Sequence, residues 1–172
     1  LDDSQDSGAG SVYVYDATNL SATPTKLTPS GLGGGDYFGW SVAGNSNQII
    51  VGANQDDDQG SNAGAVYVYD ANNLSATPTK LAPSGLDATD HFGRSVAATS
   101  NQIVVGAWID GDQGSQAGAI YVYDANNLSA TPTKLTPFDL TAGDHFGYSV
   151  AVAGSQIIVG AKDDDQGTNY NT

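Results

Sequence analysis

The sequence predicts an all-β protein, a β-propeller of four-stranded antiparallel blades, and three observations carry that expectation. The chain repeats itself: Phe38, Phe92 and Phe146 lie 54 residues apart, as do Tyr13, Tyr67 and Tyr121. A fixed period of that size marks a repeat architecture. Each period holds four short apolar or alternating runs separated by Gly, Asn, Asp and Ser, and four strands per unit is the make-up of a propeller blade. No segment has helical periodicity; only residues 19–22 and their copies have room for a single helical turn.

Taken in order, residues 1–10 read as an acidic, Gly-containing loop. Residues 11–16 (SVYVYD) alternate Val and Tyr, as a strand contacted on both faces does. After a turn, Pro24 cannot donate to a ladder, so residues 25–28 (TKLT) form a short outer strand with a solvent-facing side. Residues 37–43 form the next strand, with Gly39 where a bulky side chain would block close backbone approach. Asn45-Ser46-Asn47 makes a hairpin turn into residues 48–53 (QIIVGA), whose nearly continuous apolar run predicts burial on both faces. The loop 54–64 follows, and the cycle restarts at Ala65. The whole chain, 1–172, thus reads as one propeller segment, with repeats at about residues 1–35, 36–89, 90–143 and 144–172. The N-terminal strands complete a C-terminal half blade.

Composition excludes several functions. The formal charge is −14, and all 19 acidic residues are Asp, which prefers caps, turns and cation sites over helix interiors. Such a surface repels nucleic acid and anionic membranes. No apolar run approaches the ~20 residues of a membrane-spanning helix, and the absence of Cys removes disulfides and thiolate metal sites. The chain starts at Leu1 without a signal-peptide pattern and is expected to be a processed product or an excised fragment; the composition leans towards a secreted or cell-surface location.

The strings F-G-x-S-V-A, I-[IV]-V-G-A and G-A-x-Y-V-Y-D, recurring through essentially the whole chain, resemble the FG-GAP repeat of integrin-type β-propellers, most closely the bacterial extracellular version. The resemblance implies that FGxSVA is the innermost strand, VGA the second, YVYD the third and TKLTP the outer edge. In integrin-type repeats the calcium loop lies between the FG and VGA strands. Here those connections, residues 44–47, 98–101 and 152–155, contain no Asp, so that calcium site is not carried over.

Another calcium site is expected in the loop after VGA. It reads Asp56-x-Asp58-x-Gly60-x-Asn62, then Asp110-x-Asp112-x-Gly114, then Asp163-x-Asp165-x-Gly167. Oxygen ligands at alternate positions with a Gly for the bend suit Ca²⁺; the same residues also make a solvated acidic turn. Asp36, Asp90 and Asp144 are expected to accept backbone N–H bonds in tight turns. His91 and His145, replaced by Tyr37 in the other repeat, are expected to pack rather than ligate. The Asn-x-Ser strings at Asn19, Asn73 and Asn127 match a glycosylation acceptor, within a duplicated turn.

Where the repeats differ, the side chains are large. Trp40, Arg94 and Tyr148 share one position; Asn54, Trp108 and Lys162 share another. Trp40, Arg94, Tyr148 and Trp108 are therefore the candidate ligand-binding residues, with neutral drift at exposed sites as the alternative. No nucleophile–base pair or phosphate loop stands out, so catalysis is expected to be absent. Three functions fit: a calcium-stabilised adhesion or recognition module with a protein or glycan ligand, a lectin with one site per blade, and scaffold from a larger secreted enzyme. Three repeats fall short of a ring, so a homodimer sharing blades around a six-bladed ring is expected.

Overall fold

The computed structural model of the chain describes residues 7–165. Twelve strands follow one another: β1 (Val12–Val14), β2 (Thr25–Leu27), β3 (Ser41–Gly44), β4 (Gln48–Ala53), β5 (Ala65–Asp70), β6 (Thr79–Leu81), β7 (Phe92–Ala98), β8 (Gln102–Ala107), β9 (Ala119–Asp124), β10 (Thr133–Leu135), β11 (Phe146–Ala153) and β12 (Gln156–Ala161). There is no helix among the described residues. Residues 19–22 close a turn through the Ala22 N–H and the Asn19 carbonyl (3.1 Å) rather than a helical segment.

The strands form two complete antiparallel sheets, β3-β4-β5-β6 and β7-β8-β9-β10, flanked by the two-stranded sheets β1-β2 and β11-β12. The FG strand is thus first, the VGA strand second, the YVYD strand third and the TKL strand outermost. The flanking pairs are the outer half of one blade and the inner half of another, so the sheets form a partial propeller rather than a closed ring. Phe38 and Phe92 lie in the core. Each stands edge-on to the first Tyr of the YVYD strand, Phe38 on Tyr67 at 5.4 Å and Phe92 on Tyr121 at 5.3 Å, a geometry that suits the ring quadrupoles.

One core fills the junction between sheets β3–β6 and β7–β10, built on Ile50, Val66, Val68, Phe92, Ile103 and Val105. A second lies between β1–β2 and β3–β6, built on Leu27, Phe38, Val51 and Tyr67. Neighbouring residues Ile50 and Val51 of β4 serve different junctions, which is why the VGA strand reads as a continuous apolar run. At the half-blades the same positions have no neighbour. Tyr13 and Tyr15 are 52% and 58% exposed, whereas Tyr67 and Tyr69 are each 4% exposed.

The junctions are fastened by the repeat motif itself. The Phe92 N–H donates to the Ala63 carbonyl of the preceding sheet (2.8 Å). The Ser41 hydroxyl donates to the Gly93 carbonyl of the following sheet, and Ser95 to Gly147, both at 2.8 Å. Gly52 and Gly106 of the VGA strands lie under those same carbonyls, so close that a Cβ would overlap the carbonyl oxygen.

The first FG strand is shorter than its sequence suggests. Residues 37–40 precede β3, because Tyr37 (φ 54°) and Gly39 (φ 94°) turn the backbone into the left-handed region. In β7 and β11 the same turn appears as a bulge, between Phe92 and Ser95 and between Phe146 and Ser149. A bulge re-aims the side chain that follows it, and here that side chain is the variable residue 40, 94 or 148.

Candidate functional site

Two groups of residues singled out by sequence have defined surroundings, and both hang from the FG turn. Asp36, Asp90 and Asp144 are buried ahead of it and accept backbone N–H bonds from Gly33 (2.7 Å), Asp87 (2.8 Å) and Thr141 (2.6 Å). Burial pushes the Asp90 carboxyl up to about 6, against the opposing Asp87 N–H bond and with help from the Asp110 charge. The next residue, Tyr37, His91 or His145, has positive φ, a conformation that is costly for a non-glycine and is held here by its neighbours. The His91 Nδ1–H donates to the Asn54 carbonyl (3.0 Å), since a carbonyl can only accept. Burial, aided by the Arg94 charge, lowers the His91 pKa despite that bond.

In the acidic loop of sheet β3–β6, Asp56 is 2% exposed. Its carboxylate accepts from the Tyr67 hydroxyl (3.0 Å) and from the Lys80 ammonium (2.7 and 2.8 Å). The same ammonium reaches Asp58 at 2.6 Å. Sheet β7–β10 repeats this: Tyr121 and Lys134 bond Asp110, and Lys134 bonds Asp112 at 2.6 Å. Each lysine also lies 5.3 Å from the centre of the tyrosine ring. Burial disfavours each ammonium, but its bonds to the two carboxylates outweigh that and raise both lysine pKa values. Tyr67 and Tyr121 are raised as well, by burial first and then by the Asp56 or Asp110 charge.

The remaining expected ligands have bonds of their own. The Asn62 N–H bonds the Asp57 side chain (2.6 Å), and the Gly60 carbonyl accepts from the Ala63 N–H (2.9 Å). The Gly114 carbonyl likewise accepts from Ala117 (2.9 Å). Among the described residues no three His, Cys, Asp or Glu side chains gather closely enough to hold a metal ion. In the last loop the Asp163 N–H bonds the Asp144 carbonyl (3.3 Å), as the Gln55 N–H bonds Asp36 (3.4 Å). Asp163 therefore stands where Gln55 does, one place earlier than the Asp-x-Asp spacing suggests. Its carboxylate meets His145 Nδ1 (2.7 Å) and the Lys162 ammonium (2.8 Å). Asp165 ends the described chain, and Gly167 lies outside the described residues.

The four variable residues converge. The Arg94 guanidinium carbon lies 4.3 Å from the centre of the Tyr148 ring, 5.2 Å from Trp40 and 5.7 Å from Trp108. Trp108 stands edge-on to Tyr148 at 5.4 Å and lies 4.7 Å from the His145 ring. Tyr37 flanks Trp40 at 5.9 Å, His91 flanks Trp108 at 6.1 Å, and the Lys162 ammonium is 5.4 Å from Tyr148. Sheets β3–β6, β7–β10 and β11–β12 each place a residue of the same repeat position here, next to the FG bulge, while Trp108 comes from the end of β8. Trp40 is 46% exposed. A guanidinium among aromatic faces is held by cation–π attraction.

The profile of the FG-GAP repeat matches residues 23–69, 77–123 and 131–171. The chain belongs to the FG-GAP repeat family. No curated protein matches it. Each FG-GAP match begins just ahead of a TKL strand; the first two end in the third strand of the next sheet and the last runs past β12, so the family unit straddles two blades. The x of FGxS in each FG-GAP repeat is the residue that reaches the aromatic cluster. Sequence reasoning missed Lys80 and Lys134, having read their strand as solvent-facing. The available signal was their 54-residue recurrence among only five basic residues, each paired in sequence with a recurring Tyr and Asp.

Proposed function

We propose that the chain is a non-enzymatic recognition module of an extracellular or cell-surface protein, with its ligand seated on the Trp40–Arg94–Trp108–Tyr148 platform. The convergence of these four side chains supports the reading. They occupy two of the positions at which the repeats differ, and the packing of successive sheets sets them around one guanidinium. An exposed tryptophan beside a guanidinium and two half-buried aromatic side chains suits the apolar face of a sugar ring or an aromatic or charged peptide side chain. Trp40 and Trp108 are the only tryptophans, so tryptophan emission reports on this site alone. A glycan and peptide array is expected to give binders that shift that emission, and Trp40→Ala is expected to weaken them at least tenfold without changing the circular dichroism. Binders unaffected by Trp40→Ala would place recognition elsewhere.

For the acidic loops, the lysine is proposed as the resident cation in place of the expected Ca²⁺. A divalent ion at Asp56 and Asp58 would have to displace an ammonium already within 2.8 Å of both carboxylates. For assembly, we propose that β12 of one chain pairs with β1 of another. The β4–β5 register, in which Gln48 faces Asp70 and Ala53 faces Ala65, would set Gln156 against Asp16 and cover Tyr13, Tyr15 and Ile158. Light scattering on the 172-residue chain is expected to give a dimer; a monomer stable to dilution would end this proposal.

A further inference from the structure

We infer that the platform takes a carboxylate carried on a saccharide, a uronic acid unit, and that Arg94 is the group that receives it. The inference rests on the platform being the ligand seat. Arg94 lies in a chain with 19 aspartates, yet among the described residues it makes no ion pair. Lys80, Lys134 and Lys162 behave differently, each holding one or two carboxylates within 3.0 Å. Three aromatic side chains surround the Arg94 guanidinium instead. No carboxylate holds the guanidinium among these rings, and its N–H fork is of the kind that matches a carboxylate bidentately.

The nearby charges favour the same ligand. The Lys162 ammonium also lies over the Tyr148 ring, with its charge shared with Asp163. Asp163 meets Lys162 and His145 rather than Arg94. The rest of the chain discriminates by length: a net charge of −14 repels long polyanions such as nucleic acid. A short saccharide with a few carboxylates meets the local guanidinium without laying a long run of charge across that surface. The exposed Trp40 ring supplies a flat apolar face for the C–H side of the pyranose.

The test is a titration of tryptophan emission with trigalacturonate and with its methyl ester, which keeps the rings and removes the charge. The acid is expected to bind saturably and at least tenfold more tightly than the ester. Arg94→Gln is expected to abolish that preference, and Arg94→Lys to retain part of it, with unchanged circular dichroism for both. Equal binding of acid and ester, or a preference that survives in Arg94→Gln, would overturn the carboxylate inference and leave the platform standing. A response to an acetylated Asp peptide but not to trigalacturonate would overturn the saccharide assignment. Silence towards all three probes would also overturn the inference, and array binders lost in Trp40→Ala would still uphold the platform.

Discussion

Gly106→Ala is expected to destabilise the protein by about 3 kcal/mol or more, the upper range for forcing extra atoms into a packed interior. At this chain length that corresponds to a fall in melting temperature of roughly 6–12 °C, or failure to fold. The cause is local. A Cβ at Gly106 would overlap the Gly147 carbonyl oxygen and the Ser95 hydroxyl, the two groups that fasten one sheet to the next. Relief would require the sheets to separate, which opens the apolar junction. Gly111→Ala is the control, because nothing lies within 4 Å of a Cβ built there. Gly106→Ala melting within 2 °C of wild type would show that the junction yields without cost.

Lys134→Ala is expected to cost about 3 kcal/mol, the low end for removing one partner of a buried ion pair. Asp110 would be left almost fully buried with only the Tyr121 hydroxyl and nearby backbone, and the repulsion between Asp110 and Asp112 would lose its intervening cation. The low end applies because the lysine side chain is 27% exposed, so water recovers part of the loss. Lys134→Met combined with Asp110→Asn is expected to recover most of the stability, since no unpaired buried charge remains. A double-mutant cycle with no coupling would refute the pairing. The proposal that lysine is the resident cation adds a second measurement: wild type should melt at the same temperature in excess chelator and in millimolar calcium. A ligand bound only to the folded state raises the melting point by mass action, so a clear rise with calcium would restore the metal reading of these loops.

Much of the fold was legible because its determinants are local and recur. The VGA strand is observed at residues 48–53 as expected, its boundaries set by a turn before and an acidic loop after. The first FG strand begins four residues late at Ser41, since the left-handed turn at Tyr37 and Gly39 leaves no mark on apolar alternation. Lys80 was misplaced for a related reason. Period-two reasoning assigns a face to a residue, but a long side chain can fold back across its own sheet to a loop 22 residues earlier. The offset of Asp163 arose from matching Asp-x-Asp by type, where a one-residue deletion is invisible. Comparison of repeats found the four platform residues as a set. That they meet depends on how one sheet packs against the next, which no single repeat encodes.

The serine fasteners also bear on cooperativity. Because Ser41 and Ser95 bond carbonyls of the following sheet, neither complete sheet satisfies its native bonding in isolation. Stability in such an array is a sum over neighbours, so an interior sheet is held from two sides and a terminal one from one. The burial gradient follows that logic, from β8, buried at five of its six positions, to β12, buried at none. Order in this molecule is lent from sheet to sheet, and its ends are the last to receive it.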